Sequence, residues 1–275
     1  DHLDRHGDMK NYAEIKKRLV DASEYAVVGV DDAFSMEVAA DLDAMGKKPV
    51  RISGKSLVEE GVGFDGKNLV ESKNGSSRIL CDLTKATALR GAHNAQNAAA
   101  AWAACSLSGL SDEEIIRGFE SFPGLAHRME QVGTIGRALV VNDSKGTNAD
   151  AAAKALSSFE RIYWIAGGLA KEGGIESLRD YFPRVAKAYF IGEAAPEFAA
   201  TLGSEAPFEI SNTLDNAVTR ACEDVASDTH EEPVILLSPA CASFDQYPNF
   251  EVRGDAFRGL LQTIDGFIPR EETSP

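Results

Sequence analysis

Apolar and polar positions in the second half of the chain alternate in blocks. Ala138–Val141, Arg161–Ala166, Ala188–Ile191 and Val234–Leu237 are short apolar runs, as strands buried on both faces require. Between them, Ala149–Leu156, Ile175–Phe182, Pro196–Leu202 and Leu214–Val225 carry the spacing of amphipathic helices. Such alternation predicts a doubly wound, largely parallel sheet. Right-handed crossovers then place the loop after every strand along one edge. The first half is mixed. It predicts a helix over Met9–Val20, strands over Tyr25–Val30 and Pro49–Ile52, and a hairpin at Asp65-Gly66. An Ala-rich helix over Ala92–Ser106 follows, then one opened by the capping box at Ser111 and running to Ser121. Pro123-Gly124 ends it, and a domain boundary is expected just after, giving units 1–125 and 126–275.

Three loops on the predicted edge share a chemistry. After the first strand comes DSKGTN, after the second GGLAKEGG with Lys171, and after the fourth SPACASFDQYPNFEVRGDAF. DSKGTN alone reads as a turn with a helix cap at Thr147 or Asn148. A helix start also presents free N–H groups and partial positive charge, to which Lys145 adds a full one. Three such loops converging on one edge predict an anion site.

Other positions carry competing readings. Lys16 falls within the apolar stripe Met9, Tyr12, Ala13, Ile15, Leu19, Val20, whereas Lys17 lies at its margin. It is either a snorkelling lysine or a buried, modified or charge-paired one serving a site. Asn94 and Asn97 share a helix face, as a polar helix start or as amides reading a purine edge. Arg128, beside His127 at the expected domain junction, is placed to reach a phosphate. The opening DHLDRHGD fits no zinc spacing. ISGKSL contains Gly-Lys-Ser, but Pro49 stands where a P-loop needs its first glycine. No GxGxxG follows a strand, so a nicotinamide enzyme is unsupported.

Composition narrows the field. The 275 residues are 44% hydrophobic and 26% charged, which suits a globular chain with room for two cores. A net charge of −15 argues against a nucleic-acid surface. No apolar run has membrane-spanning length and no signal peptide opens the chain, so no membrane insertion is expected. Four scattered cysteines, without CxxC spacing, suit a reducing cytoplasm. Beginning at Asp1 rather than Met, the chain reads as a cut product or fragment.

In order, GAHNAQNAAAA, LAHRME, VNDSKGTN, GGLAKEGG and LLSPACASFDQYPNFEVRGDAF resemble the Mur ligases. DHLDRHG followed by YAEIK is similar to that family's central domain, and SPACASFDQ points to its D-glutamate-adding branch. The likeness is collinear over nearly the whole chain. It implies an α/β chain: a partial central ATPase-like domain without its P-loop, then a complete Rossmann-like doubly wound C-terminal domain.

The resemblance also implies the chemistry. An ATP-dependent ligase would join D-glutamate to UDP-N-acetylmuramoyl-L-alanine in peptidoglycan synthesis, and so serve cell shape and division. ATP would phosphorylate the substrate carboxylate, and the amine of D-glutamate would displace phosphate from the acyl phosphate. ATP and Mg2+ are the implied cofactors. By matching motif, His2 would neighbour magnesium, and Lys16 would be carbamylated by CO2 into a magnesium-binding anion. Asn94 and Asn97 would lie near the adenine, and Arg128 and Asp143 would contact the nucleotide's phosphate and ribose. Lys145, Thr147, Lys171, Ser243, Phe244 and Phe250 would form the D-glutamate pocket. This portion alone is expected to be inactive, and the intact protein to be a monomer. The alternative is a non-catalytic module that binds an amino acid or a nucleotide.

Overall fold

The computed structural model describes residues 6–86 and 88–270 and divides into two units, 1–122 and 123–275. In the first unit, α1 (Met9–Ala22) and β1 (Val27–Gly29) precede α2 (Ala33–Ala44). Strands β2 (Val50–Ile52), β3 (Gly61–Phe64), β4 (Asn68–Lys73) and β5 (Ser76–Asp82) follow, then helices α3 (Ala92–Leu107) and α4 (Asp112–Ser121). The sheet runs β1-β2-β3-β4-β5, parallel as far as β3 and antiparallel beyond. Its two faces are covered separately. Ile52, Val62, Leu69 and Leu80 pack on Ala95, Ala99 and Trp102 of α3, whereas Val28 packs on Ala39 and Leu42 of α2.

Local chemistry accounts for the connections. Asp65 accepts the N–H groups of Lys67 (2.9 Å) and Asn68 (2.7 Å), which closes the β3–β4 hairpin. The next hairpin turns at Asn74 (φ 53°) and Gly75 (φ 74°), an Asn-Gly pair suited to two left-handed residues. Ser111 and Glu114 cap α4 reciprocally.

ISGKSL, which links β2 to β3, is filled by the chain itself. Asp31 accepts from the Ser53 hydroxyl (2.5 Å), the Gly54 N–H (2.9 Å) and Gln96 Nε2 (2.6 Å). A carboxylate thus takes up the loop's donors, and no phosphate loop forms here.

The stripe expected over α1 requires correction. The helix buries no residue, Ile15 and Leu19 are 42% and 73% exposed, and Lys16 is exposed with Nζ 5.5 Å from the Tyr12 ring centroid. The packed side is turned one residue on. Lys17 is the half-buried lysine, 3.2 Å from Asp21 and 3.6 Å from Asp41 of α2.

The second unit opens with β6 (Glu130–Ile135), β7 (Ala138–Asn142), α5 (Ala149–Leu156) and β8 (Ile162–Gly167). After a 3-10 segment, Glu176–Arg184, come β9 (Val185–Ile191), α6 (Ala195–Leu202), β10 (Phe208–Asn212) and α7 (Leu214–Val225). Strand β11 (Val234–Leu237), α8 (Phe250–Leu261) and β12 (Phe267–Pro269) complete it. Strand order is β10-β9-β8-β11-β7-β6-β12, with the first five parallel and β6 antiparallel to both its neighbours, β7 and β12.

Successive residues of each central strand feed opposite cores. Trp164 and Phe190 meet α5, the 3-10 segment and α6 on one face; Tyr163, Ile165 and Tyr189 meet α7 and α8 on the other. The α-helix expected over Ile175–Phe182 is instead this 3-10 segment, which buries Leu178 and Phe182 and contains Pro183. Proline removes an N–H and clashes with the preceding turn of an α-helix. Because β11 inserts between β7 and β8, the three loops of interest are neighbours in space.

Candidate functional site

The loop after β7 is built inward from Asn142, which is fully buried. Its Nδ2 lies 3.1 Å from His127 Nδ1, 3.1 Å from Glu130 and 3.2 Å from the Gly254 carbonyl, while its Oδ1 accepts the Ser144 N–H. This hub ties the start of the unit to β7 and α8. Asp143 follows, 5% exposed, accepting from Ser238 Oγ (2.8 Å) and the Met129 N–H (3.2 Å). Burial pushes its carboxyl up to about 6, against the Ser238 and Met129 hydrogen bonds and the nearby Arg128 charge. A methyl at Gly146 would lie 2.6 Å from Asp143 Oδ2, so the loop closes tightly on that carboxylate.

The other two loops interlock with it. Leu169 and Ala242 exchange both backbone hydrogen bonds (2.9 and 3.1 Å), and the Gly167 N–H donates to Pro239 O (2.9 Å). Trp164 Nε1 donates to Ser238 O (2.8 Å), anchoring the β11 loop from below. Lys145 is exposed and its Nζ lies 5.3 Å from the centroid of Phe250, the first residue of α8. Ser144 Oγ donates to the Phe250 carbonyl (2.8 Å), which fixes that pairing. Thr147 is half-buried, its N–H donating to Lys145 O (2.8 Å). Ser243 is 3% exposed, and Phe244 stands out at 70%. Lys171 is exposed in the β8 loop, and Arg128 is held outward between His127 and Met129, both at positive φ.

Arg253 is the buried cation of this edge that the sequence patterning does not single out. It is 1% exposed, with Nε donating to Ser144 Oγ (3.0 Å) and Nη2 to the carbonyls of Ser144 (2.8 Å) and Cys241 (3.2 Å). Its Nη1 has no hydrogen-bond partner among the described residues, and a methyl on Gly168 would lie 3.2 Å from it. Burial brings its pKa down to about 10, with Cys241, Asp245 and Tyr247 opposing. A guanidinium beneath three loops that also display Lys145 and Lys171 makes this edge a place for an anion.

The remaining predicted positions lie in the first unit. Asn94 Nδ2 donates to Arg90 O (2.8 Å) and Asn97 Nδ2 to Asn94 Oδ1 (3.3 Å), so the two amides share the start of α3. Asn97 is exposed, Asn94 half-buried. His2 lies outside the described residues. Among the described residues no three His, Cys, Asp or Glu side chains group as a metal site, and no helix is long and apolar enough to cross a membrane.

Known proteins match this chain in two blocks. Residues 1–105 match the Mur ligase middle domain, and residues 127–241 the glutamate ligase domain of Mur ligases. UDP-N-acetylmuramoylalanine–D-glutamate ligase of Mesorhizobium japonicum is 59% identical over 269 residues, 98% of this chain and 58% of the relative. The enzyme of that name from Rhizobium meliloti is 56% identical over 266 residues, 97% of this chain and 58% of the relative. The chain therefore spans under two thirds of the length of the curated relatives it matches.

Solved structures share the fold at low identity. A UDP-N-acetylmuramate-alanine ligase from Thermotoga maritima superposes with TM-score 0.62 at 14% identity, over 96% of this chain and 57% of that one. The apo form of L. casei FPGS gives TM-score 0.56 at 14%, over 95% and 59%. Two matched domains in collinear order, with a cationic edge on the second, leave one assignment: the chain belongs to the Mur ligase family.

Proposed function

We propose that this chain is the C-terminal portion of an ATP-dependent ligase that adds D-glutamate to UDP-N-acetylmuramoyl-L-alanine. The observation that carries the reading is the edge where the β7, β8 and β11 loops interlock over buried Arg253, at high identity to relatives bearing that activity's name. Lys145, Thr147 and Lys171, with Ser243, Phe244 and Phe250, hold the carboxylates of the incoming amino acid. Arg128 and Asp143 are assigned to nucleotide binding, as are Asn94 and Asn97. The amine of D-glutamate attacks an acyl phosphate; the C–N bond forms as the C–O bond to phosphate breaks, and the amine loses a proton. Cytoplasmic action in peptidoglycan synthesis belongs to the same proposal.

Lys16 is assigned the carbamate position on the likeness of YAEIK to the family's central domain. Among the described residues the side chains do not by themselves assemble a magnesium site. With Asp31 filling ISGKSL, the chain supplies no phosphate loop of its own and is expected to be inactive alone.

The test is ADP release by the full-length protein, given ATP, UDP-N-acetylmuramoyl-L-alanine and either glutamate enantiomer. Release that depends on D-glutamate supports the reading. Release that ignores D-glutamate, or turnover by residues 1–275 alone, contradicts it.

A further inference from the structure

Within the segment from Ser243 to Phe250, Asp245 and Gln246 directly follow the proposed contact residues Ser243 and Phe244 and are not used by the proposed site. The first part of its loop is fixed by the loop after β8, through the Leu169–Ala242 pair. The second part reaches further along the same side, past β8 to the ends of β9 and β10. Asp245 Oδ2 accepts the Glu193 N–H (3.1 Å), just ahead of α6, whose own N-cap position, Ala194, offers no side-chain acceptor. Gln246 Nε2 donates to the Asn212 carbonyl (2.8 Å). That carbonyl also receives the Gly192 N–H (2.9 Å), and Asn212 turns out of β10 at φ 63°. Gly192 makes room for the contact, because a methyl there would lie 2.1 Å from Asp245 Oδ2.

Between these anchors the chain turns tightly. Ser243 O accepts both the Gln246 N–H (3.1 Å) and the Tyr247 N–H (2.7 Å), leaving Phe244 at the exposed apex. Ser243 and Phe244 are the residues assigned to a substrate carboxylate. An exposed turn has low local stability unless something beyond it sets its position. Here two side chains directly after the apex do so. A carboxylate beside an anion site would repel the ligand, and Asp245 is directed away from that cost, onto a backbone N–H at a helix start.

We propose that Asp245 and Gln246 are positioning residues for the D-glutamate carboxylate, pinning the Ser243–Phe244 turn to the ends of β9 and β10 without touching the substrate. The inference rests on the ligase reading above. It assigns the amino-acid specificity of the edge partly to strands β9 and β10, which supply none of the proposed contact residues.

The experiment is steady-state kinetics on the full-length protein with Asp245→Ala, Asp245→Asn and Gln246→Ala, alongside thermal melts. Losing one anchor is expected to raise KM for D-glutamate about tenfold. KM for ATP and for the UDP-sugar substrate stays within twofold, roughly the scatter of non-coupled sites. Asp245→Asn keeps an acceptor for Glu193 and restores the wild-type KM. Equal shifts in all three KM values together with a lowered melt mean a structural cap only, and overturn the proposal. Unchanged KM in both alanine variants also overturns it. If Asp245→Ala does not fold, Gln246→Ala decides by the same KM criterion. Wild-type protein without D-glutamate dependence sinks the ligase reading itself, and this inference with it.

Discussion

Asp143 provides the sharpest quantitative test. Its carboxyl is 5% exposed and pushed up from 3.8 to about 6 by burial. The folded state therefore holds this proton more tightly than the unfolded chain does. Stability from this group is present below pH 3.8 and is lost as pH rises to about 6, above which the charged form is carried at full cost. A shift of two units corresponds to about 3 kcal/mol. Asp143→Asn keeps an acceptor for the Met129 N–H, can donate to Ser238 Oγ, and never ionises.

The variant should thus be more stable than wild type by about 3 kcal/mol at pH 7.5 and by about zero at pH 4. Trp102 and Trp164 are the only tryptophans, one in each unit. Urea titrations followed by Trp164 fluorescence in a Trp102→Phe background report the second unit. A pH-independent difference between the variants, or a variant less stable than wild type at pH 7.5, would refute the reasoning. In the full-length protein the same variant should lose nucleotide affinity, so stability and activity move in opposite directions.

Two further outcomes are expected. Asp31→Ala strands three donors, on Ser53, Gly54 and Gln96, and should destabilise the first unit by about 3 kcal/mol. The Trp102 transition should report the loss with Trp164 as the internal control; an unmoved Trp102 transition would mean the Asp31 network contributes nothing. Lys145→Ala, by removing a charged donor, should raise KM for D-glutamate roughly 10- to 100-fold in the full-length protein. A KM for D-glutamate within twofold of wild type would remove Lys145 from the pocket.

The central strands were legible because burial on both faces leaves uninterrupted apolar runs, as in Ile162–Ala166. Strands at the edges were not. Phe208 and Ile210 of β10 are 39% and 42% exposed, so their alternation does not mark an inward face. Helix α2 escaped because its apolar residues do not keep to one side: Ala39 and Leu42 are buried while Phe34 and Met36 are exposed. The 3-10 segment is indistinguishable from an α-helix in the sequence because Leu178, Tyr181 and Phe182 fit either helix type over so short a span.

The site shows the same division. The convergence of three loops followed from topology and was readable. Arg253 carries the same pattern as Lys16, a lone cation on an apolar stripe, here with Phe250, Phe257 and Leu261 on one helix face. On α1 that stripe is exposed, whereas on α8 it is covered. Periodicity identifies a face, and only tertiary packing decides whether the cation on it is buried. The Asp31 network was likewise invisible, since it joins residues 65 positions apart.

The most direct test of the central claim is hydrogen–deuterium exchange on the full-length protein, with saturating nucleotide and UDP-sugar substrate, with and without D-glutamate. The account predicts added protection in Asp143–Thr147, in 168–174 and in 242–250, with L-glutamate giving none. Protection confined to other segments, or equal protection by both enantiomers, would contradict the placement of the amino-acid site on this edge.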